Sequence, residues 1–346
     1  MKKKVFFIMN TNDFSGAESV NFSIIDALKD KYDFYWVSKS GNINNFLNKK
    51  SIKWIEIKSL TIKEIKKIIR QYNPDIIHAT DYKASVITSL VNPKIPIISH
   101  LHNNATWLKK INPKSLAYLI ASIKIDKILT VSSSIKEEYI FSKYISKKIK
   151  NIGNPVSREK IISKVESLDY KKIYDICCVA RLSNPKNPQK FIRIISKLKK
   201  DIPNIKAIWV GSGDLLEECT SLCKELKVEE NIQFMGFKNN PYKYLASSKA
   251  FLLTSDWEGY GLAVFEALAL GLPCVVSKVG GLVDIVSDKC GALCEFEEEF
   301  IDSLKEILLN EKKYKKLSKN AISQSKKLNN FNDYIEIIDN VYREVV

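Results

Sequence analysis

Ser255-Asp256-Trp257-Glu258-Gly259-Tyr260-Gly261-Leu262-Ala263-Val264-Phe265-Glu266-Ala267-Leu268-Ala269-Leu270-Gly271-Leu272-Pro273 is the stretch that decides the architecture. It follows an apolar, strand-like run at 250–254. Its spaced glycines, Gly259 and Gly261, let the backbone approach a ligand closely before a helix opens near Leu262. Gly271 and Pro273 end that helix, as glycine caps and a following proline commonly do. A helix that begins just past a strand offers free N–H groups and the positive end of its dipole, which together seat a diphosphate. Glu258 falls in the loop beside that seat, and Glu266 lies one turn into the helix. The bland alternative makes Glu258 a solvated loop carboxylate and Glu266 a surface helix residue, and the flanking glycines weigh against it.

The same strand–loop–helix unit recurs outward in both directions. Short β-branched or aromatic runs at 5–9, 34–37, 54–57, 75–78, 97–101, 127–131 and 148–152 alternate with amphipathic stretches. After them come runs at 174–180, 207–210, 232–235, 250–254 and 274–277. Such alternation predicts an α/β protein with parallel sheets. A length of 346 residues exceeds one ordinary core, so two doubly wound domains are expected, with the break near Gly153-Asn154-Pro155. The expected boundaries are 1–155 and 156–330, with a last helix over 331–346 that crosses back to the first domain. Ligands of open α/β sheets bind past the carboxyl ends of the strands, so two facing sheets would enclose a cleft.

Composition narrows the class. With 45% hydrophobic and 27% charged residues the chain reads as soluble and globular, and no apolar run approaches a membrane span. The apolar run after Met1-Lys2-Lys3-Lys4 is too short for a secretory signal, so a cytoplasmic location is expected. Seven cysteines in strand-like and helical positions read as structural thiols; Cys290 and Cys294 lack the second ligand pair that a metal site needs. The formal charge of +16 is uneven: residues 1–155 hold 26 basic and 12 acidic residues, and the remainder 29 and 27. Two readings stay open, a solubilising lysine-rich surface or a basic face for anionic lipid or an anionic acceptor.

The segment around Glu258 resembles the family-4 retaining glycosyltransferases of the GT-B fold, whose hallmark is two glutamates separated by seven residues. The match covers Glu-Gly-x-Gly at 258–261 and Glu-Ala-x-Ala-x-Gly-x-Pro at 266–273. The resemblance implies that Glu258 contacts donor-sugar hydroxyls and that Glu266 binds the ribose hydroxyls. It implies a donor site formed by the backbone of Gly259, Tyr260, Gly261 and Leu262. Carboxylates suit both roles because each accepts hydroxyl hydrogen bonds without needing a proton.

Further matches lie at strand ends. Val179-Ala180-Arg181-Leu182-Ser183-Asn184-Pro185-Lys186 resembles the cationic pair that holds the donor pyrophosphate, making Arg181 and Lys186 candidates for stabilising the leaving group. With that pair, and without an Asp-x-Asp motif, no metal or other cofactor is expected. Gly211, in Val210-Gly211-Ser212-Gly213, resembles a turn near the nucleotide, and Phe237 the loop where the base packs, although a turn leading into a helix explains Phe237 equally well. In the first half, Phe14-Ser15-Gly16-Ala17-Glu18 resembles a phosphate- or sugar-facing turn in which Ser15 replaces a usual glycine. Gly16 and Ala17 would supply N–H groups, and Glu18 would serve the ligand or the helix dipole. His102, followed by Asn103 and Asn104, resembles the family histidine that bonds a donor-sugar hydroxyl; His78 is secondary and His100 is expected in the core.

The expected partners are therefore a nucleotide sugar, a UDP-sugar by analogy, and a glycan acceptor, lipid-linked as in capsule, lipopolysaccharide or teichoic-type assembly. Contact with an inner membrane through the basic first domain fits the charge, and no nucleic acid is expected. Rival readings are a non-catalytic nucleotide-sugar binder, a basic nucleic-acid-binding protein, and a GT-B epimerase.

Overall fold

Parallel strands buried on both faces need nearly continuous apolar sequence, and the chain supplies it in short runs such as Val5-Phe6-Phe7-Ile8 and Phe251-Leu252-Leu253, all at most 2% exposed. The computed structural model describes residues 2–91, 94–103, 105–166 and 171–346; Asn104 lies outside the described residues. The chain divides into two compact units, one of Met1–Pro155 with Phe331–Val346 and one of Val156–Asn330.

In the first unit, β1 (Lys3–Ile8), β2 (Tyr32–Ser38), β3 (Lys53–Glu56), β4 (Ile76–Thr80), β5 (Ile97–Leu101), β6 (Lys127–Thr130) and β7 (Ile149–Asn151) form one sheet. Its spatial order is β3-β2-β1-β4-β5-β6-β7, and every pairing is parallel. The order reverses between β1 and β4, where loops leaving the carboxyl ends diverge and open a crevice. One side of the sheet packs Phe6, Ile8, Val37 and Ile77 against Ile65, Ile68 and Ala84.

The C-terminal helix Phe331–Val345 belongs to this unit because it is pinned by polar contacts as well as packing. The Asp339 carboxylate accepts from Lys31 Nζ at 2.7 Å and from the Tyr32 hydroxyl at 2.9 Å. Tyr342 OH lies 2.8 Å from His78 Nδ1, His78 Nε2 lies 3.0 Å from His100 Nδ1, and Tyr334 OH lies 3.4 Å from His100 Nε2. All four side chains are at most 1% exposed, so this buried chain of hydrogen bonds joins the helix to β4 and β5. Such groups persist in a core only when bonded.

In the second unit, β8 (Tyr174–Val179), β9 (Ala207–Val210), β10 (Ile232–Phe234), β11 (Ser248–Leu253), β12 (Cys274–Ser277) and β13 (Gly291–Cys294) form a sheet in the order β10-β9-β8-β11-β12-β13. Again all pairings are parallel, and the order reverses between β8 and β11. β13 is absent from the expected strands. Its register sets Gly291 against Cys274, where a Cβ on Gly291 would fall 1.8 Å from the Cys274 carbonyl oxygen. All seven cysteines are free and buried.

Candidate functional site

The second unit's switch point gathers the loops after β8 and β11, and these loops are stitched together by backbone contacts. After β8 the chain makes a short 3-10 turn, Asn184–Lys186, and reaches Asn187 at φ 44°, whose side chain accepts from Lys190 N–H and caps the next helix. The Thr254 hydroxyl donates to the carbonyls of Lys186 and Asn187 at 3.2 and 2.9 Å. The Asp256 N–H donates to the Pro185 carbonyl at 2.9 Å, and the Asn187 amide donates to the Asp256 carboxylate at 3.0 Å. This lattice sets the Lys186 ammonium directly on the Glu258 carboxylate, which also accepts from the Ser255 hydroxyl at 3.2 Å. Their side chains are only 19% and 14% exposed, so the pair is partly desolvated and less screened by water than a surface ion pair.

The Glu258 backbone is held as closely as its side chain. Gly280 (φ 51°) approaches so near that a Cβ there would lie 1.8 Å from the Glu258 carbonyl oxygen, and Gly281 N–H faces the carbonyls of Glu258 and Gly259 at 3.4 and 3.2 Å. Gly261, at φ 96°, then begins the helix Leu262–Ala269. The first intrahelical bonds run from Val264 and Phe265 to the Gly261 carbonyl, so Leu262 and Ala263 N–H precede the helical ladder and stay available. Tyr260 is 8% exposed, and burial pushes its hydroxyl up to about 12.

Glu266 lies on this helix, half-buried. Burial pushes its carboxyl up to about 7, opposed by the Tyr242 hydroxyl, which donates to Oε1 at 3.0 Å, and by nearby Lys164. Lys164 Nζ also stands 5.0 Å over the Tyr242 ring. Across the sheet, Gly211 N–H donates to the Gly236 carbonyl at 2.9 Å, and a Cβ on Gly211 would fall 1.9 Å from the Ala180 carbonyl oxygen. Arg181 is exposed after β8, and Phe237 is 55% exposed after β10. The structure thus groups Lys186, Glu258, Gly259, Gly261 and Leu262 tightly, with Glu266 one turn along the helix Leu262–Ala269 and Tyr242 reaching it from the separate short helix Tyr242–Ala246.

In the first unit, the loop after β1 leads to Ser15, which starts the helix Gly16–Leu28. Glu18 is 2% exposed and engaged: its carboxylate accepts from Ser15 N–H at 3.0 Å and from the hydroxyls of Ser15 and Thr11, each at 2.5 Å. It therefore fixes the turn as a capping box does. The N–H groups of Gly16 and Ala17 precede the first helical bond, from Ser19 to the Ser15 carbonyl, and stay available. His102 follows β5 with its ring 4.0 Å from the His100 ring. Burial lowers its pKa to about 3, so the imidazole is neutral, and Nε2 has no partner among the described residues. His100 is fully buried.

Sequence reasoning passed over two groups. Asp81 directly follows β4 at φ 66°, a strained setting for a non-glycine residue, and its Oδ1 accepts the His102 N–H at 2.9 Å. Burial and the charge of Glu18 raise its carboxyl to about 7. An Asp at a strand end was the available signal, and it reads like an ordinary helix start. Tyr242 is the other: it follows Phe237 in the loop after β10, but its bond to Glu266 spans 24 positions.

Comparison with known proteins matches this geometry to a family in both halves. Residues 16–160 match the model described as Glycosyltransferase Family 4, and residues 158–324 the model described as Glycosyl transferases group 1. The chain is 28% identical over 354 residues to the N-acetylgalactosamine-N,N'-diacetylbacillosaminyl-diphospho-undecaprenol 4-alpha-N-acetylgalactosaminyltransferase of Campylobacter jejuni, covering 94% of this chain and 95% of that one. It is 25% identical over 369 residues to the Escherichia coli UDP-Gal:alpha-D-GlcNAc-diphosphoundecaprenol alpha-1,3-galactosyltransferase, covering 96% and 94%. Among solved structures, Anabaena Alr3699/HepE in complex with UDP and glucose shares the fold at a TM-score of 0.86 and 18% identity, covering 99% of this chain and 100% of that one.

Proposed function

Because this chain belongs to glycosyltransferase family 4 and has the GT-B fold, we propose that it moves a sugar from a UDP-sugar to a lipid-linked glycan acceptor, with retention of anomeric configuration and without a metal ion. The observation that carries this reading is the Lys186–Glu258 pair at the second sheet's switch point, beside the free N–H groups that open the helix Leu262–Ala269. A cation for a diphosphate, a carboxylate for sugar hydroxyls and a helix N-terminus occupy one corner. Donors and charges fixed at such a corner stabilise charge as it develops on the leaving group.

In this mechanism the bond between the anomeric carbon and the diphosphate oxygen breaks, and its electron pair leaves with UDP. Arg181 and Lys186 stabilise the charge that builds on that oxygen. The acceptor hydroxyl attacks from the same face, and its proton passes to the leaving phosphate oxygen, so no protein nucleophile takes part. Glu258 orients the sugar through its hydroxyls. The neutral ring of His102, with Nε2 unpartnered, bonds another sugar hydroxyl, and Gly16 and Ala17 offer N–H groups. Glu266, held by Tyr242, accepts from the ribose hydroxyls, and Phe237 flanks the base. The names of the two enzyme relatives support a diphospho-undecaprenol-linked acceptor, and the UDP complex of the structural relative supports the nucleotide. Capsule, O-antigen or related surface glycans made at the cytoplasmic face of the membrane fit that acceptor class.

UDP release from UDP-sugars tests the assignment. Arg181→Ala and Glu258→Ala should each lower turnover at least roughly a hundredfold, the scale of losing one transition-state contact. Normal turnover in both would sink the reading. Activity that survives chelator and a product with the donor's anomeric configuration are the expected outcomes for the metal and stereochemical assignments.

A further inference from the structure

Among the described residues, fifteen large apolar side chains are exposed, and six of them fall between positions 111 and 144: Ile111, Leu116, Ile120, Ile123, Ile140 and Tyr144. The helix Pro113–Ser122 is fixed at its start by Asn112, whose side chain accepts from Lys114 and Ser115 N–H at 2.9 and 3.1 Å. Leu116, Ile120 and Ile123 follow at intervals of four and three, which align them along one helical side. Ile120 is 61% exposed and Ile123 73%.

The segment 139–148 is tied to this helix near both of its ends. Tyr139 OH donates to the Ser115 carbonyl at 2.7 Å, near the helix start. Lys148 Nζ donates to the carbonyls of Ser122, Ile123 and Ile125 at 2.8, 3.2 and 2.7 Å, at its end. Ile140 and Tyr144 are the exposed large apolar side chains of the segment between these two anchors. Lysines surround these apolar groups: residues 109–150 contain ten lysines and three acidic residues. Two of the three carboxylates are engaged, Asp126 with Ile97 N–H at 2.8 Å and Glu138 with Lys109 at 3.2 Å. Lys110, Lys114, Lys124, Lys143 and Lys147 are exposed.

We propose that this face docks on an anionic lipid bilayer, with Ile120, Ile123 and Tyr144 entering the boundary between headgroups and acyl chains and the lysines lying against lipid phosphates. The charge pattern selects this occupant. Lysine is depleted at protein–protein interfaces, whereas exposed isoleucine and tyrosine ringed by lysine suit an anionic interface. The inference builds on the proposed lipid-linked acceptor, since docking would bring the first unit to the surface where such an acceptor lies.

Cosedimentation with vesicles of phosphatidylglycerol and phosphatidylethanolamine, and with neutral phosphatidylcholine vesicles, tests it. The full chain should bind the anionic vesicles only, and binding should fade as salt rises from about 0.1 M to about 1 M, because the screening length shrinks from about 10 Å to about 3 Å. The double variant Ile120→Asp/Ile123→Asp and the double variant Lys124→Glu/Lys143→Glu should each weaken binding roughly tenfold or more. Leu309→Asp, at an exposed apolar site in the second unit, should bind as the unchanged chain does. Thermal stabilisation by UDP should be the same in all of them, which separates this proposal from the transferase reading. Absent binding, equal binding to neutral vesicles, or unchanged binding in both double variants would overturn it. So would a self-associating chain that Ile120→Asp/Ile123→Asp converts to monomer without altering vesicle binding.

Discussion

Replacing Glu266 with glutamine should make the protein more stable at pH 8 while weakening its grip on UDP. Burial lifts this carboxyl from 4.5 to about 7 in the folded unit. A carboxyl raised in this way is bound as the acid most tightly by the folded state, so its favourable contribution is complete below pH 4.5. That contribution is lost as pH rises through 7, and above 7 the folded unit carries the cost of a desolvated charge. One pH unit is worth about 1.4 kcal/mol, which bounds the cost near 3 kcal/mol; water at the half-buried side chain reduces it to about 1–3 kcal/mol. Glutamine keeps the shape and an oxygen for the Tyr242 hydroxyl but carries no charge. Glu266→Gln should therefore melt higher at pH 8 by about 2–4 °C per kcal/mol, with the gap closing toward pH 4.5. Because an amide has one acceptor oxygen where the carboxylate has two, added UDP should stabilise the variant less than the unchanged chain. Thermal unfolding from pH 5 to 8.5, with and without UDP, measures both effects. A variant no more stable at pH 8, or a gap that persists on acidification, would refute the reasoning.

Other perturbations follow from single contacts. Gly280→Ala forces a Cβ to within 1.8 Å of the Glu258 carbonyl oxygen at a left-handed φ, so it should cost about 2–4 kcal/mol and abolish UDP stabilisation, as thermal unfolding with and without UDP will show. Tyr342→Phe strips the buried His78 Nδ1 of its hydroxyl partner, and the expected loss of about 1–3 kcal/mol is readable in urea unfolding. Asp81→Asn keeps an oxygen for the His102 N–H and tolerates the left-handed backbone, so it should hold or raise stability at pH 8. Asp81→Ala removes that acceptor and should lower stability by about 1–2 kcal/mol in the same melting assay.

The strands were legible where apolar, β-branched sequence made them so, as in Val5-Phe6-Phe7-Ile8 and Cys274-Val275-Val276. β13 was not, because Gly291-Ala292-Leu293-Cys294 has no β-branched residue. What makes it a strand is its pairing with β12 and a closeness of approach to Cys274 that only glycine permits. The glycine-flanked loop and helix around Glu258 were likewise readable from local chemistry. The ion pair with Lys186 was not, since it joins residues 72 positions apart through loops aligned by the β8–β11 pairing. Asp81 was missed for a related reason. Its strain and its bond to the His102 N–H arise from tertiary structure, while its local sequence is that of any helix start.

Three carboxylates near strand ends show how differently one residue class can be prepared. Glu258 has its charge balanced by Lys186, Glu266 has a tyrosine hydroxyl and a more distant lysine, and Asp81 has the His102 N–H and the Asn103 side chain. The last two are pushed to about 7 by burial, whereas Glu258 sits in an ion pair. A ligand that brings hydroxyl donors to Glu266 adds hydrogen bonds to the one from Tyr242, so part of its binding free energy comes from relieving that carboxylate. Glu258 poses the opposite problem. Sugar hydroxyls must compete there with an ammonium, and they succeed only if Lys186 gains another anion. A diphosphate at the neighbouring helix N-terminus is such an anion. It follows that the nucleotide diphosphate and the sugar should bind cooperatively, the first drawing Lys186 away and the second taking up the carboxylate it leaves. UDP should then raise the affinity for free sugar, and Lys186→Met, which has no ion pair to exchange, should remove that coupling.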